Sequence, residues 1–115
     1  MISERDRVYL EHILDCTALI QTYTRPGKAD FIANSLVQDA VLRRLQTMAE
    51  STQRLSEALK LTAPTIDWRA LAGFRNVLVH DYLGGIDLEQ VWDAVERYLP
   101  ELETVLQRLM DEDGR

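Results

Sequence analysis

Apolar residues recur at intervals of three or four along almost the whole chain, and most glycines and prolines fall between the segments that carry this period. An α-helix has about 3.6 residues per turn, so this spacing collects the apolar side chains on one face of each segment. The chain contains only five glycines and three prolines. The pattern predicts an all-α protein without a strand.

The first two predicted helices occupy the amino-terminal half of the chain. The first runs from about Ser3, which is a suitable N-cap, to about Tyr23, and the sequence Arg25-Pro26-Gly27 ends it. The second begins near Asp30 and is predicted to be one long helix, because its apolar seam continues regularly to Leu59.

A third helix is predicted to begin at Trp68, with Asp67 as its N-cap. Proline disfavours helical continuation, so Pro64 separates it from the second helix. It is expected to end before Gly84-Gly85, where glycine can adopt the left-handed conformation.

The last predicted helix is capped by Asp87 and continues through Leu109. Pro100 is expected to kink it, since proline removes one backbone donor and crowds the preceding turn. Residues 111–115 are expected to fray.

Length and composition suit one globular domain covering residues 1–115, with 46% apolar and 28% charged residues. No stretch approaches the roughly 18 apolar residues that span a bilayer, and the amino terminus lacks signal-peptide character, so we expect a cytoplasmic protein without a membrane partner. Cys16 is the only cysteine and is expected in the core.

The net charge of −6 argues against nucleic-acid binding, because contacts to phosphate require Lys and Arg. However, the acidity is concentrated at the carboxyl-terminal end. Residues 86–115 contain nine acidic and three basic residues, whereas residues 1–85 contain ten of each. A local basic site on the neutral part of the chain is compatible with this distribution.

In the sequence, Arg75 is followed after four residues by His80 and, one residue later, by Tyr82, a set of groups suited to chemistry on the phosphates of RNA. An arginine binds phosphate, a histidine is a base near neutral pH, and a tyrosine supplies a phenol. Asn76 precedes His80 by four residues, so its amide is placed to hydrogen-bond the imidazole and fix its tautomer.

Arg75 and His80 lie about 140° apart on a regular helix, whereas Arg75 and Tyr82 lie within about 20° of one another. For the arginine and the histidine to reach one phosphate, the helix must loosen near His80 or a second protomer must complete the site. We favour the second arrangement.

Each of these residues, taken singly, is more often structural than catalytic. A lone histidine is more often a core or capping residue than a base, and an arginine is usually a solvated charge. His12 has no motif around it and is predicted to be a surface or interface residue. We expect no metal site, because the carboxylates of the last helix lack accompanying histidines and are typical of a solvated face.

The motif and its surroundings closely resemble the HepT-type ribonuclease toxins of the HEPN-domain class, which are paired with nucleotidyltransferase antitoxins. Four stretches carry the resemblance over nearly the full chain: Met48-Ala49-Glu50-Ser51, Pro64-Thr65-Ile66-Asp67-Trp68, the Arg75-His80-Tyr82 motif, and Trp92. The chain departs from the family at Met48-Ala49, where Ile-Gly is more common.

The resemblance implies a four- to five-helix bundle that forms a homodimer, with two motifs facing a shared cleft and metal-independent endoribonuclease activity that needs no cofactor. His80 would take the proton from a ribose 2′-hydroxyl, and Arg75 would bind the scissile phosphate. The product would carry a 2′,3′-cyclic phosphate. The expected substrate is RNA, and DNA binding is not expected.

The resemblance also implies a partner, a small nucleotidyltransferase antitoxin of the MNT type that adenylylates the motif tyrosine, here Tyr82. An anionic group on Tyr82 would occupy Arg75 and block the phosphate site. The rival interpretation is a catalytically silent helical protein that binds nucleotide or docks onto a nucleotidyltransferase; the intact motif favours the enzyme, and the acidic charge favours the rival.

Overall fold

The structure is a computed structural model that describes residues 2–80 and 85–113, apart from the side chains at 77, 79 and 80. Helices dominate both ranges, and neither contains a strand, which confirms the all-α prediction. The helices are α1 (Glu4–Tyr23), α2 (Lys28–Ala33), α3 (Ser35–Arg54), α4 (Glu57–Leu61), α5 (Trp68–His80), α6 (Leu88–Asp93) and α7 (Leu99–Asp113), with a π-helical segment (Ala94–Tyr98) between the last two.

Helix α1 begins and ends where its sequence predicts. The Ser3 hydroxyl accepts a hydrogen bond from the backbone N–H of Asp6, as an N-cap does, and α1 ends at Tyr23. Cys16 is fully buried in the core, as expected.

The prediction of one long second helix is wrong, because two polar caps interrupt it. Asn34 accepts hydrogen bonds from the N–H groups of Leu36 and Val37, which ends α2 and begins α3. Ser56 accepts from the N–H of Leu59 and begins α4 in the same way. Capping side chains satisfy backbone donors that a continuous helix would satisfy internally, so the chain can turn at both places.

Helix α5 is fixed at its amino-terminal end by two neighbouring residues. The Asp67 carboxylate accepts the N–H of Ala70, which confirms the predicted cap. The Trp68 indole donates to the carbonyl oxygens of Lys60 and Ala63, each at 3.2 Å, and so ties α5 to the turn after α4. The predicted continuation towards Gly84 lies outside the described residues, while Gly85 has the expected positive φ of 91°.

The last helix begins at its predicted cap, with Asp87 accepting from the N–H groups of Glu89 and Gln90. A π-helical segment precedes Pro100, and α-helical geometry resumes at Leu99 and continues through the proline. The kink at Pro100 stays a prediction.

The expected fraying of residues 111–115 is wrong as far as Asp113, because α7 continues to that residue. The Asp113 carboxylate accepts the backbone N–H of Ile2 at 2.8 Å and pairs with the Arg7 guanidinium. These contacts hold the end of α7 against the start of α1.

The core lies where α1, α3 and α7 pack together, and α5 lies against α3. Its largest fully buried side chains include Phe31, Leu10, Ile13, Leu45 and Leu106. In the part of the chain that is described, no helix is long and apolar enough to cross a membrane.

Candidate functional site

The packing of α5 on α3 brings Arg75 against Glu50. The arginine Nη2 lies 3.9 Å from the glutamate Oε1, and the two side chains are 33% and 45% exposed. At that distance the contact is an ion pair without a close hydrogen bond, and partly exposed pairs of this kind contribute little stability. Arg75 is therefore placed at the surface by the fold without being firmly bound.

The Arg75 guanidinium also has an unused donor. Its Nε is buried and has no hydrogen-bond partner among the residues the structure describes. A guanidinium binds phosphate best when two of its N–H groups are available in parallel. In Arg75 the Nε is buried, so an anionic ligand would reach the guanidinium through the exposed part of the side chain.

The structure keeps α5 in α-helical geometry through His80, so the backbone between Arg75 and His80 does not loosen. Residues five positions apart on such a helix point about 140° away from each other. Positions 75 and 80 therefore lie on different faces of α5. The side chain of His80 lies outside the description, as does the whole of Tyr82.

Asn76 is exposed on α5, and the helical backbone places it one turn before His80. This is the spacing that the predicted amide–imidazole hydrogen bond requires. Whether the two side chains meet stays a prediction.

His12, which is predicted to be a surface or interface residue, is only half-buried and also contacts α3. Its Nδ1 lies 2.7 Å from the hydroxyl of the buried Ser51, and its Nε2 lies 3.6 Å from the Sγ of Cys16. His12 is half-buried and connects α1 to α3. Its two ring nitrogens are thus engaged with side chains of α1 and α3.

Five of the six carboxylates from Asp87 to Glu103 are exposed, as the prediction of a solvated face requires, and Glu103 is half-buried. Glu103 accepts from the hydroxyl of the buried Thr17, and Glu96 accepts from the Trp92 indole. Within residues 2–80 and 85–113, no three His, Cys, Asp or Glu side chains lie close enough together to hold a metal ion.

Glu50 is the site residue that its sequence position alone did not reveal as a partner of Arg75. Glu50 lies on α3 between Ala49 and Ser51, which are both buried. The apolar pattern of α3 does not indicate that a charged residue of this helix contacts α5. The available signal was its place in the stretch Met48-Ala49-Glu50-Ser51, which lies in the region of resemblance.

Comparison with known proteins gives a family match over most of the chain. Residues 13–109 match the model of the family described as "Ribonuclease HepT-like". The matched region includes α3, α5 and the whole Arg75-His80-Tyr82 motif. No solved structure matches the chain.

Three curated relatives illustrate the likeness. The "Probable ribonuclease HepT" of Thermococcus cleftensis is 32% identical over 102 residues, which are 88% of this chain and 92% of that protein. A "Putative RNase" of Caldanaerobacter subterraneus is 28% identical over 93% of this chain and 96% of that protein. The chain also matches, at 32% identity over 92% of its length, about half (48%) of a Methanocaldococcus jannaschii protein named "Gamma-glutamylcyclotransferase and putative RNase".

Proposed function

The chain belongs to the HepT-like ribonuclease family, and on that premise we propose that it is a metal-independent endoribonuclease and the toxin of a toxin–antitoxin pair. The observation that supports this best is the state of Arg75, which is partly exposed, loosely paired and left with an unused donor among the described residues. An arginine in that state suits a substrate that carries phosphate.

In the proposed reaction His80 accepts the proton of a ribose 2′-hydroxyl, and the resulting oxygen attacks the adjacent phosphorus. The bond from phosphorus to the 5′-oxygen breaks, and that oxygen leaves and takes up a proton. Arg75 stabilises the charge that develops on the phosphate oxygens. The products are a 2′,3′-cyclic phosphate and a free 5′-hydroxyl, with no metal ion or other cofactor required.

The proposed catalytic unit is a homodimer with composite sites. Because α5 is regular through His80, Arg75 and His80 of one copy diverge. A second copy related by a twofold axis would bring its own His80 towards the first copy's Arg75. Asn76, one turn before His80, would hold the imidazole in the tautomer that accepts a proton.

In the proposed regulation, an MNT-type nucleotidyltransferase antitoxin inhibits the ribonuclease by adenylylating Tyr82. On a continued helix Tyr82 would lie about two turns beyond Arg75 and nearly on the same stripe. A transferred AMP group would then place its phosphate beside the guanidinium and compete with RNA.

The direct test compares cleavage of a single-stranded RNA by the parent protein, Arg75→Ala and His80→Ala. Each substitution should lower the rate by about 10² to 10⁴. EDTA should leave the parent rate unchanged, and the RNA fragments should end in a cyclic phosphate.

The matched control is Arg69→Ala, which removes an exposed arginine from the same helix without touching the motif. It should cleave at nearly the parent rate. Parent-like cleavage by His80→Ala, or loss of cleavage in EDTA, would refute the proposed chemistry. A parent protein that binds its nucleotidyltransferase but cleaves no RNA would instead favour the non-catalytic helical partner.

A further inference from the structure

A groove of about 790 Å³ separates α5 from the last helix, with α3 beneath it. The side chains that form its apolar surface come from all three helices. They are Leu45, Met48, Leu71, Phe74, Leu99 and Leu102. Leu45, Met48, Leu99 and Leu102 are core residues at most 3% exposed, and they form the floor of the groove. Leu71 and Phe74 are half-buried against that core and supply its open apolar surface.

The charged residues that line the groove are all acidic. Asp67, Asp93 and Glu101 line it, and none of the described lining residues is Lys, Arg or His. Asp67 is engaged in capping α5, and Asp93 lies 3.9 Å from the exposed Arg97. Glu101 makes no hydrogen bond or ion pair with any residue the structure describes, so its charge is available to a ligand.

Gly73 lies in the middle of α5 and lines the same groove. It is exposed, and a Cβ built on it would meet nothing within 4 Å. A glycine inside a helix lowers stability by about 1 kcal/mol relative to alanine. No described part of the chain comes close enough to Gly73 to require a residue without a side chain. The glycine leaves room for another backbone to approach α5 closely.

The π-helical segment shapes the opposite side of the groove. Ala94 and Tyr98, its first and last residues, both line the groove, and Tyr98 is 64% exposed. Single π turns within helices occur frequently at functional sites. Tyrosine is also one of the residues that most often anchor protein interfaces.

We propose that this groove binds an amphipathic helix of a partner protein whose apolar stripe is flanked by Lys and Arg. The half-buried Leu71 and Phe74 accept the stripe, and Gly73 allows close approach of the two backbones. Glu101 pairs with a flanking cation, as does Asp93, whose exposed pair with Arg97 is weak. A second copy of this chain fits less well, because a twofold contact through the last helix would bring like charges together. The proposal does not depend on ribonuclease activity.

The test measures binding of a fluorescein-labelled peptide of about 18 residues with leucines on one helical face and lysines on the other. A matched peptide has glutamate in place of every lysine. The basic peptide should bind the parent protein at least about tenfold more tightly than the acidic one. Gly73→Leu fills the groove from a position with free space, so it should keep the fold and weaken binding at least about tenfold.

Charge specificity is tested with two matched double variants of the last helix. Asp93→Asn with Glu101→Gln removes two charges at the groove and should weaken binding. Asp111→Asn with Glu112→Gln removes two charges from α7 away from the groove and should not. Equal loss in both double variants, equal binding of the two peptides, or parent-like binding by Gly73→Leu would overturn the proposal, as would a homodimer that Gly73→Leu dissociates.

Discussion

The carboxylate of Glu50 lies 3.9 Å from the guanidinium of Arg75, across the contact between α3 and α5. This pair places a negative charge beside the group proposed to bind the scissile phosphate. The two side chains remain partly exposed, so solvent screens their attraction and the pair holds α5 only weakly. If Arg75 binds phosphate as proposed, Glu50 competes with the phosphate for the guanidinium and contributes little to the fold.

Glu50→Gln should strengthen RNA binding, because it removes a charge that repels phosphate while keeping the shape of the side chain. We expect KM for RNA to fall about two- to fivefold, with kcat close to the parent value and thermal stability little changed. Steady-state cleavage at two salt concentrations measures this, and the difference should shrink at the higher one.

The control for Glu50 is Glu57→Gln, which neutralises an exposed glutamate on α4 whose partner is Lys60. It should change neither constant. A Glu50→Gln variant that loses kcat would show instead that the carboxylate holds Arg75 in its reactive position.

A composite site makes a further prediction about mixed dimers. Arg75→Ala and His80→Ala are each inactive alone, but a heterodimer of the two retains one site with an intact Arg75 and an intact His80. An equimolar mixture that exchanges subunits should recover about a quarter of the parent activity. Cleavage assays on co-refolded mixtures measure this. No recovery, in a mixture that mass spectrometry shows to contain heterodimers, would place both residues of a site on one protomer.

Helix ends were predictable where one local residue decides them. Ser3, Asp67 and Asp87 each accept a backbone N–H in the way their sequence positions predict. The breaks at Asn34 and Ser56 were missed because the apolar seam continues through both and conceals the caps. The spacing of apolar residues indicates which face of a helix is buried. It does not reveal a turn after which the next helix buries residues at the same spacing.

The site was predictable from sequence only as a set of residue types. The motif singled out Arg75, but its pairing with Glu50 depends on how α3 and α5 pack, which no local pattern encodes. The role of His12 was missed for the same reason, since its partner Ser51 lies on another helix. Tertiary contacts of this kind need the three-dimensional arrangement.

Tyr82→Phe should separate toxicity from control. The substitution keeps the aromatic ring but removes the phenolic oxygen that would accept AMP, so the variant should cleave RNA at nearly the parent rate. After co-expression with an MNT-type nucleotidyltransferase, intact-protein mass spectrometry should detect an AMP adduct on the parent and none on Tyr82→Phe. Tyr23→Phe, which removes a phenol at the end of α1, is the matched control and should be modified like the parent. An adduct on Tyr82→Phe as abundant as on the parent would show that Tyr82 is not the residue that accepts AMP.

The stability of the bundle should depend on the ionised form of Asp6, which is only 4% exposed. Its carboxylate accepts the backbone N–H of Ser56 at 2.8 Å and the Ser56 hydroxyl at 2.6 Å, so it joins α1 to the cap of α4. Burial alone would raise the pKa of Asp6, but the hydrogen bonds from Ser56 outweigh burial and the pKa lies below its ordinary value.

A carboxyl whose pKa is lowered by folding contributes stability above its unfolded pKa and loses it as pH falls through the folded value. The parent should therefore lose part of its free energy of unfolding below about pH 5, through this group.

Asp6→Ala leaves the Ser56 N–H without its acceptor, so we expect a loss of about 1 to 3 kcal/mol at pH 7. That loss should diminish as the solution becomes acidic, because the unfolded chain then protonates Asp6 more readily than the folded chain does. Urea unfolding at several pH values measures both effects, with Asp15→Asn, an exposed change on the same helix, as the control. A penalty for Asp6→Ala that stays constant from pH 7 to pH 3 would show that the stabilising contact does not require the charge.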